Sequence, residues 1–337
     1  MSIPTEPIGS IPRPPHAHEA PQRAVQETIR RLEETGSPVL VDGEQAKPDS
    51  FTYPVGGLPG LAPDGVVIPF ADGHTRQLPR LTSGPFRYKV RAESYLREAK
   101  QHTSRPVKQT VVAPSALSLL YPSDGISGYS RETFLSDLAD EAEAEIRGCL
   151  EAGAAGVQLD CSLMRLALKL DPSKSVLRDF VAIDNEVLGR FSASDRSRIG
   201  VHTCPGADQG STHSLDVDYT ELLPDLFKLK AGTFYLQMAS EPDRERALSA
   251  ARDHSTHDQR IFVGVTDPLD PRIESAEEVR DRVLTAARYI PVERLGTCDD
   301  AGFATWADDT STSRDVAFAK IEARVLGTRM AADELGL

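Results

Sequence analysis

The residues best placed to do chemistry are His202 and Cys204, in the stretch Arg198-Ile-Gly-Val-His-Thr-Cys-Pro-Gly206. Ile199 to Thr203 reads as a short buried strand that Pro205-Gly206 brings to a stop. Side chains two residues apart on a strand share a side. An imidazole and a thiol at this spacing can therefore share one metal ion. Zinc takes nitrogen and sulfur ligands of this kind and needs two further positions filled. The same pair also fits a hydrogen-bonded histidine beside a packed thiol, since free cysteine commonly behaves as a small hydrophobe. The choice between the two depends on what the rest of the chain brings alongside.

The elements that would position such a pair alternate along the chain. Residues 7–14 read as a short strand running into a Pro-rich turn. Further strands are expected at Pro38–Glu44, Pro106–Ala113, Gly156–Asp160, Ile199–Thr203, Gly232–Met238, Arg260–Val265 and Arg294–Cys298. Helical spacing marks His18–Glu34, Tyr88–His102, Arg131–Gly153, Leu177–Phe191, Asp216–Leu229, Glu241–His254, Ser275–Tyr289 and Thr312–Met330. The clearest of these carries Phe134, Leu138, Ala142, Ile146 and Leu150, each four residues from the last. Residues 45–87 form an irregular excursion rich in Pro and Gly, with an extra hairpin strand near 65–69, and long excursions of this kind are usually functional.

Strands alternating with helices imply a parallel sheet. Eight βα units in 337 residues match a (β/α)8 TIM barrel better than an open doubly wound sheet. No Gly-x-Gly-x-x-Gly follows a strand to mark a dinucleotide site. The expectation is a single barrel domain over residues 1–337, with the excursion over or beside its mouth. Function in a barrel sits at the C-terminal ends of the strands. The polar residues there are Ser10, Glu44, Asp160, His202, Cys204, Asp267 and Cys298. His213 and His74 lie in loops that can reach the mouth, though the plain expectation for loop histidines is solvation. Asp299, Asp300, Asp308 and Asp309 read as a solvated acidic rim.

Composition narrows the partners. A formal charge of −13 leaves no basic footprint for nucleic acid or an anionic membrane. No apolar run reaches the ~18 residues of a membrane span. The N-terminus lacks the pattern of a signal peptide. Four cysteines (149, 161, 204 and 298) without a disulfide framework point to a reducing cytoplasm. Small-molecule substrates remain.

Five segments in order then resemble one family: Ile-Gly-Ser-Ile-Pro-Arg-Pro (8–14), Asp-Gly-Glu (42–44), Val-Gln-Leu-Asp (157–160), Val-His-Thr-Cys (201–204) and Arg-Leu-Gly-Thr-Cys-Asp-Asp-Ala-Gly-Phe (294–303). Together they resemble the catalytic barrel of cobalamin-independent methionine synthases, in the short single-barrel form. The resemblance implies a methyltransferase that moves a methyl group from methyltetrahydrofolate to the zinc-bound thiol of homocysteine. It implies that His202 and Cys204 are metal ligands, that Glu44 and Asp160 hold the substrate ammonium, and that Ser10 with nearby backbone amides holds its carboxylate. The chain departs from the family at three places. The glutamate ligand falls at Met238, the last cysteine ligand at Ala301, and the catalytic histidine at Leu269. Cys298 is then the expected migrated ligand, with Glu241, Asp160 or water in the fourth place. The other reading is a diverged barrel that lost ordinary methyl transfer. It would act as a lyase, as a transferase with another acceptor, or as a binding protein without chemistry.

Overall fold

The computed structural model describes residues 2–337. Six strands form one parallel sheet: Gln109–Val112, Val157–Asp160, Ile199–Thr203, Thr233–Leu236, Arg260–Thr266 and Leu295–Asp299, each hydrogen-bonded to the next in chain order. The two expected N-terminal strands are not regular strands. Each occupies its place by a single parallel bridge, Thr5 to Thr297 on one side and Leu40 to Val107 on the other. Ile11 N donates to Gly43 O at 3.0 Å and joins these two segments, so eight chain positions close a barrel. The first segment cannot carry a full ladder because Pro4, Pro7, Pro12 and Pro14 supply no N–H.

Helices cover the outside where the periodicity placed them. The longest read from pattern, Arg131–Glu151, is capped by Ser130, whose hydroxyl accepts from Thr133 N at 3.2 Å. Its Phe134, Leu138, Ala142 and Ile146 are all buried against the barrel, and full burial of each large side chain contributes about 1.5–3 kcal/mol. The expected helix at 216–229 is broken into short turns at Tyr219–Glu221 and Leu223–Leu226, because Pro224 allows only a fresh start. A helix at Leu163–Leu170 and a small hairpin pairing Ala207–Asp208 with Ser211–Thr212 were not read from the pattern.

The excursion roofs the mouth. Its hairpin, Val67–Pro69 with Thr75–Gln77, lies against the hairpin that follows Cys204. Ala71 N donates to Thr212 O at 2.9 Å. Arg76 forks onto two carboxylates, Nε to Asp208 Oδ2 at 2.5 Å and Nη2 to Asp308 Oδ1 at 2.8 Å, which holds its pKa above the ordinary arginine value. Its guanidinium also lies over the Trp306 ring, 4.7 Å from the centroid. Inside the barrel, Ile8, Tyr235, Phe262 and Cys298 pack as a small apolar cluster. Lys108 lies over Tyr235 at 4.0 Å from the ring centroid and donates to Gln158 Oε1 at 2.7 Å.

Candidate active site

A small cavity opens where the strands end under this roof. Ser10, Glu44, Thr110, Asp160, His202, Cys204 and Ala301 line it from the barrel, and Phe51, Ile68 and Phe70 from the excursion. Parallel register sets Asp160 directly beside His202 on neighbouring strands. His202 Nε2 lies 3.0 Å from the Asp300 carbonyl; a carbonyl only accepts, so Nε2 carries a proton. Nδ1 is left facing Asp160 Oδ1 at 3.8 Å. Burial opposes a charge on this imidazole, but Cys204 and Asp160 outweigh burial and raise its pKa to about 10. Burial likewise pushes the Asp160 carboxyl up, and His202 with the Ser162 amide, 3.0 Å from Oδ1, holds it below the usual value. Gly206 N points at the Cys204 sulfur from 3.4 Å.

Glu44 reaches the pocket already neutralised. Its Oε1 accepts from Lys47 Nζ at 3.1 Å and from Thr110 Oγ1 at 2.5 Å, and Oε2 accepts from Ser50. Lys47 is fully buried and also donates to Thr110 O at 2.9 Å. Burial opposes both charges, yet each partner holds the other ionised, with Glu44 lowered and Lys47 raised. Glu44 itself takes a left-handed φ of 55°, uncommon for a residue with a side chain. Ser10 Oγ accepts from Ala304 N at 3.2 Å, which leaves its own proton for the pocket.

Cys298 is not brought to this pocket. Its thiol faces the barrel interior, 3.7 Å from Phe262 O, inside the cluster of Ile8, Tyr235 and Phe262. Burial there pushes its pKa well above the ordinary thiol value. Asp267 lies outside the pocket lining, with Oδ1 capping Leu269 N at 2.9 Å. The acidic rim is not solvated at Asp299, Asp300 and Asp309, which are buried; only Asp308 is exposed. Asp300 gathers the turn after the Thr233–Leu236 strand, accepting from Met238 N, Ala239 N and Ser240 N at 2.8, 2.8 and 2.7 Å.

His213, expected in a loop able to reach the mouth, does reach it. It was read as solvated, yet it is only 2% exposed and lines the pocket. Its backbone N donates to Pro205 O at 3.1 Å, so the loop folds back on itself just after Cys204. Gly206, at φ 66°, makes room: a Cβ there would fall 1.8 Å from His213 Nε2. The only signal in the sequence was Pro-Gly followed seven residues later by a histidine.

Residues 15–320 match the family described as cobalamin-independent synthase, catalytic domain. The chain belongs to that family. It is 26% identical over 324 residues to a 5-methyltetrahydropteroyltriglutamate–homocysteine methyltransferase of Nitratidesulfovibrio vulgaris, covering 90% of this chain and 39% of that protein. It is 23% identical over 351 residues to a methionine synthase of Thermococcus kodakarensis, covering 99% and 94%. The chain thus spans about two-fifths of the length of the first relative and nearly all of the second. The solved B12-independent methionine synthase of Shewanella sp. W3-18-1, in complex with selenomethionine, shares the barrel at TM-score 0.79 and 20% identity, over 99% of each chain. A Listeria monocytogenes structure follows at TM-score 0.69 and 18% identity.

For a cobalamin-independent synthase the donor set here falls short of zinc. A catalytic zinc takes three protein ligands and keeps a fourth place open. His202 and Cys204 fit, and the bond from Nε2 to a backbone carbonyl is the support a ligating histidine commonly has. Among the described residues, no group of three or more His, Cys, Asp or Glu is arranged to hold a metal ion. Ala301 offers no donor, Cys298 faces away, and Met238 is buried outside the pocket lining. Glu241 is taken by the buried Arg165 at 2.7 Å, which also holds Gln237 Oε1 at 2.7 Å. The rearranged shell expected from sequence is therefore not assembled.

Proposed function

We propose that this chain is a methyltransferase. It moves a methyl group from a methyltetrahydropteroyl donor to the thiol of a small amino acid, most simply homocysteine. The reading is carried by one observation: Asp160, Ser10, His202 and Cys204 converge on a single roofed pocket at the strand ends of a cobalamin-independent synthase barrel. Asp160 supplies the counter-charge for a substrate ammonium, since an unpaired charge in such a pocket is expensive. The Ser10 hydroxyl, with backbone amides, takes the carboxylate. The His202 ring, beside the place where the thiol would lie, favours the thiolate, which is the nucleophile. In the transfer the sulfur–carbon bond forms as the nitrogen–carbon bond of the donor breaks. The nitrogen keeps the electron pair and takes up a proton, matching the one lost by the thiol.

Relatives carry names for this transfer, 5-methyltetrahydropteroyltriglutamate–homocysteine methyltransferase and methionine synthase. Zinc enters the reading only as far as His202 and Cys204 reach, which is half of a tetrahedral shell. The incomplete shell and the neutralised Glu44 favour a second reading, a barrel that keeps the amino-acid pocket and transfers to another acceptor. The compartment we propose is the cytoplasm, supported by four buried, unpaired cysteines. No helix among the described residues is long and apolar enough to cross a membrane.

The test is to incubate the purified chain with homocysteine and methyl-labelled methyltetrahydrofolate, as monoglutamate and triglutamate. Labelled methionine that disappears in Asp160→Asn supports the first reading. Homocysteine binding without product supports the second, and no binding of homocysteine or methionine removes both.

A further inference from the structure

Gln158 presents a donor that the protein leaves free. It stands two residues before Asp160 on the Val157–Asp160 strand, so both side chains point to the same side, into the barrel. Lys108 Nζ lies 2.7 Å from Gln158 Oε1. The same Nζ lies 3.4 Å from Glu6 Oε2, which accepts from Tyr235 Oη at 2.6 Å, and 4.0 Å from the Tyr235 ring centroid. Burial lowers the pKa of Lys108, while the Glu6 carboxylate opposes burial and the ring face also favours the ammonium. An ammonium only donates. The amide oxygen is therefore the end of Gln158 turned to Lys108, and the NH2 end is turned away from it. Gln158 is buried and lines the cavity, and among the described residues its Nε2 has no hydrogen-bond partner. Buried polar groups are normally paired, and an unpaired one in a cavity wall points to a ligand.

The neighbours of this amide say which ligand group it meets. An N–H cannot pair with an ammonium, which also only donates, so the ligand must bring an acceptor. In the sheet register Gln158 stands beside Thr110, and Asp160 beside His202. The Ile8-Gly9-Ser10 stretch packs on Thr110, so closely that a Cβ at Gly9 would fall 2.9 Å from Thr110 Cγ2. Ile8, Gly9, Ser10 and Gln158 all line the cavity. Gln158 thus lies with the stretch that takes the substrate carboxylate, one step deeper in the barrel than His202, where the thiol would lie. Lys108 polarises the amide through its oxygen and strengthens the N–H as a donor. A carboxylate there meets the influence of a cation without touching one. We propose that Gln158 is a specificity-determining residue that donates to the substrate's carboxylate alongside Ser10, with Lys108 holding its NH2 toward the cavity. This rests on the reading of the pocket as an amino-acid site.

The experiment compares calorimetric affinities for matched ligands with and without the carboxylate: homocysteine against 3-aminopropanethiol, and 4-mercaptobutyrate against 1-propanethiol. Wild type, Gln158→Leu and Gln158→Glu are titrated. The carboxylate preference of wild type should fall by about tenfold in Gln158→Leu, the size of one hydrogen bond to a charged acceptor. It should fall at least as far in Gln158→Glu, which keeps the shape and the Lys108 bond but puts an oxygen where the NH2 was. Nitrogen-15 NMR of wild type provides a readout independent of how the variants fold. The Gln158 side-chain amide signal, assigned by its loss in Gln158→Glu, should move with homocysteine and not with 3-aminopropanethiol. An undiminished carboxylate preference in either variant, or an amide signal indifferent to the carboxylate, overturns the inference while leaving the amino-acid reading in place. A Gln158-dependent preference for 4-mercaptobutyrate with no binding of homocysteine supports the inference and removes that reading. Binding of neither carboxylate ligand to wild type overturns both.

Discussion

Ala301→Cys should turn a site that holds zinc poorly into one that holds it well. Ala301 lines the pocket and directly follows Asp300, whose carbonyl accepts from His202 Nε2 at 3.0 Å. A thiol placed there would join the His202 and Cys204 donors and raise the ligand count from two to three, the minimum of a catalytic site. Structural zinc sites with four ligands bind with roughly 10–16 kcal/mol, or about 2.5–4 kcal/mol per ligand. One added ligand is then worth about two orders of magnitude in affinity, with allowance for imperfect geometry. The assay is competition against a chromophoric chelator, with cobalt substitution to show thiolate-to-metal charge transfer. Zinc affinity should rise in Ala301→Cys and fall back when Cys204→Ser is added. Equal zinc affinity in wild type and Ala301→Cys, or about one zinc per chain in wild type after dialysis against chelator, would show that Ala301 is not where the shell lacks a ligand.

Other perturbations have equally definite outcomes. Asp160→Asn should weaken homocysteine binding by one to two decades, because a hydrogen bond to a charged group is worth roughly 1.5–3 kcal/mol; identical calorimetric isotherms would count against its role. Lys47→Met strands the buried Glu44 carboxylate and should cost about 3–5 kcal/mol in denaturant unfolding. Part of that loss should return at acid pH, where Glu44 takes a proton, and a pH-independent loss would contradict the pairing. Burial raises Asp184 from 3.8 to about 7. Stability from its bound proton is therefore full below about pH 4 and lost as pH rises through about 7. Melting temperature should fall between about pH 4 and pH 7 more steeply in wild type than in Asp184→Asn, which cannot lose that proton; parallel curves would show that Asp184 does not titrate in this range.

The alternation of strand and helix was legible in the sequence because buried parallel strands and amphipathic helices leave local periodic patterns. Arg131–Glu151 kept its stripe of Phe134, Leu138, Ala142 and Ile146, and the six sheet strands lie where apolar runs placed them. The first two strands read as equals of the rest, but prolines and single bridges reduce them to barrel positions without a ladder. Chain order also placed Ser10, Asp160, His202 and Cys204 at one mouth, since the ends of barrel strands converge whatever the loops do.

What the sequence determined by itself was the barrel, the end of it that carries polar chemistry, and the family to which those residues belong. Tertiary structure alone decided which of them are free to act. Glu44 is matched by Lys47, Thr110 and Ser50. Cys298 turns into the lumen among Ile8, Tyr235 and Phe262. His213 is carried into the pocket by a loop that folds back over Gly206. Each outcome depends on contacts between segments far apart in the chain or on a turn with no periodicity, and local pattern contains neither.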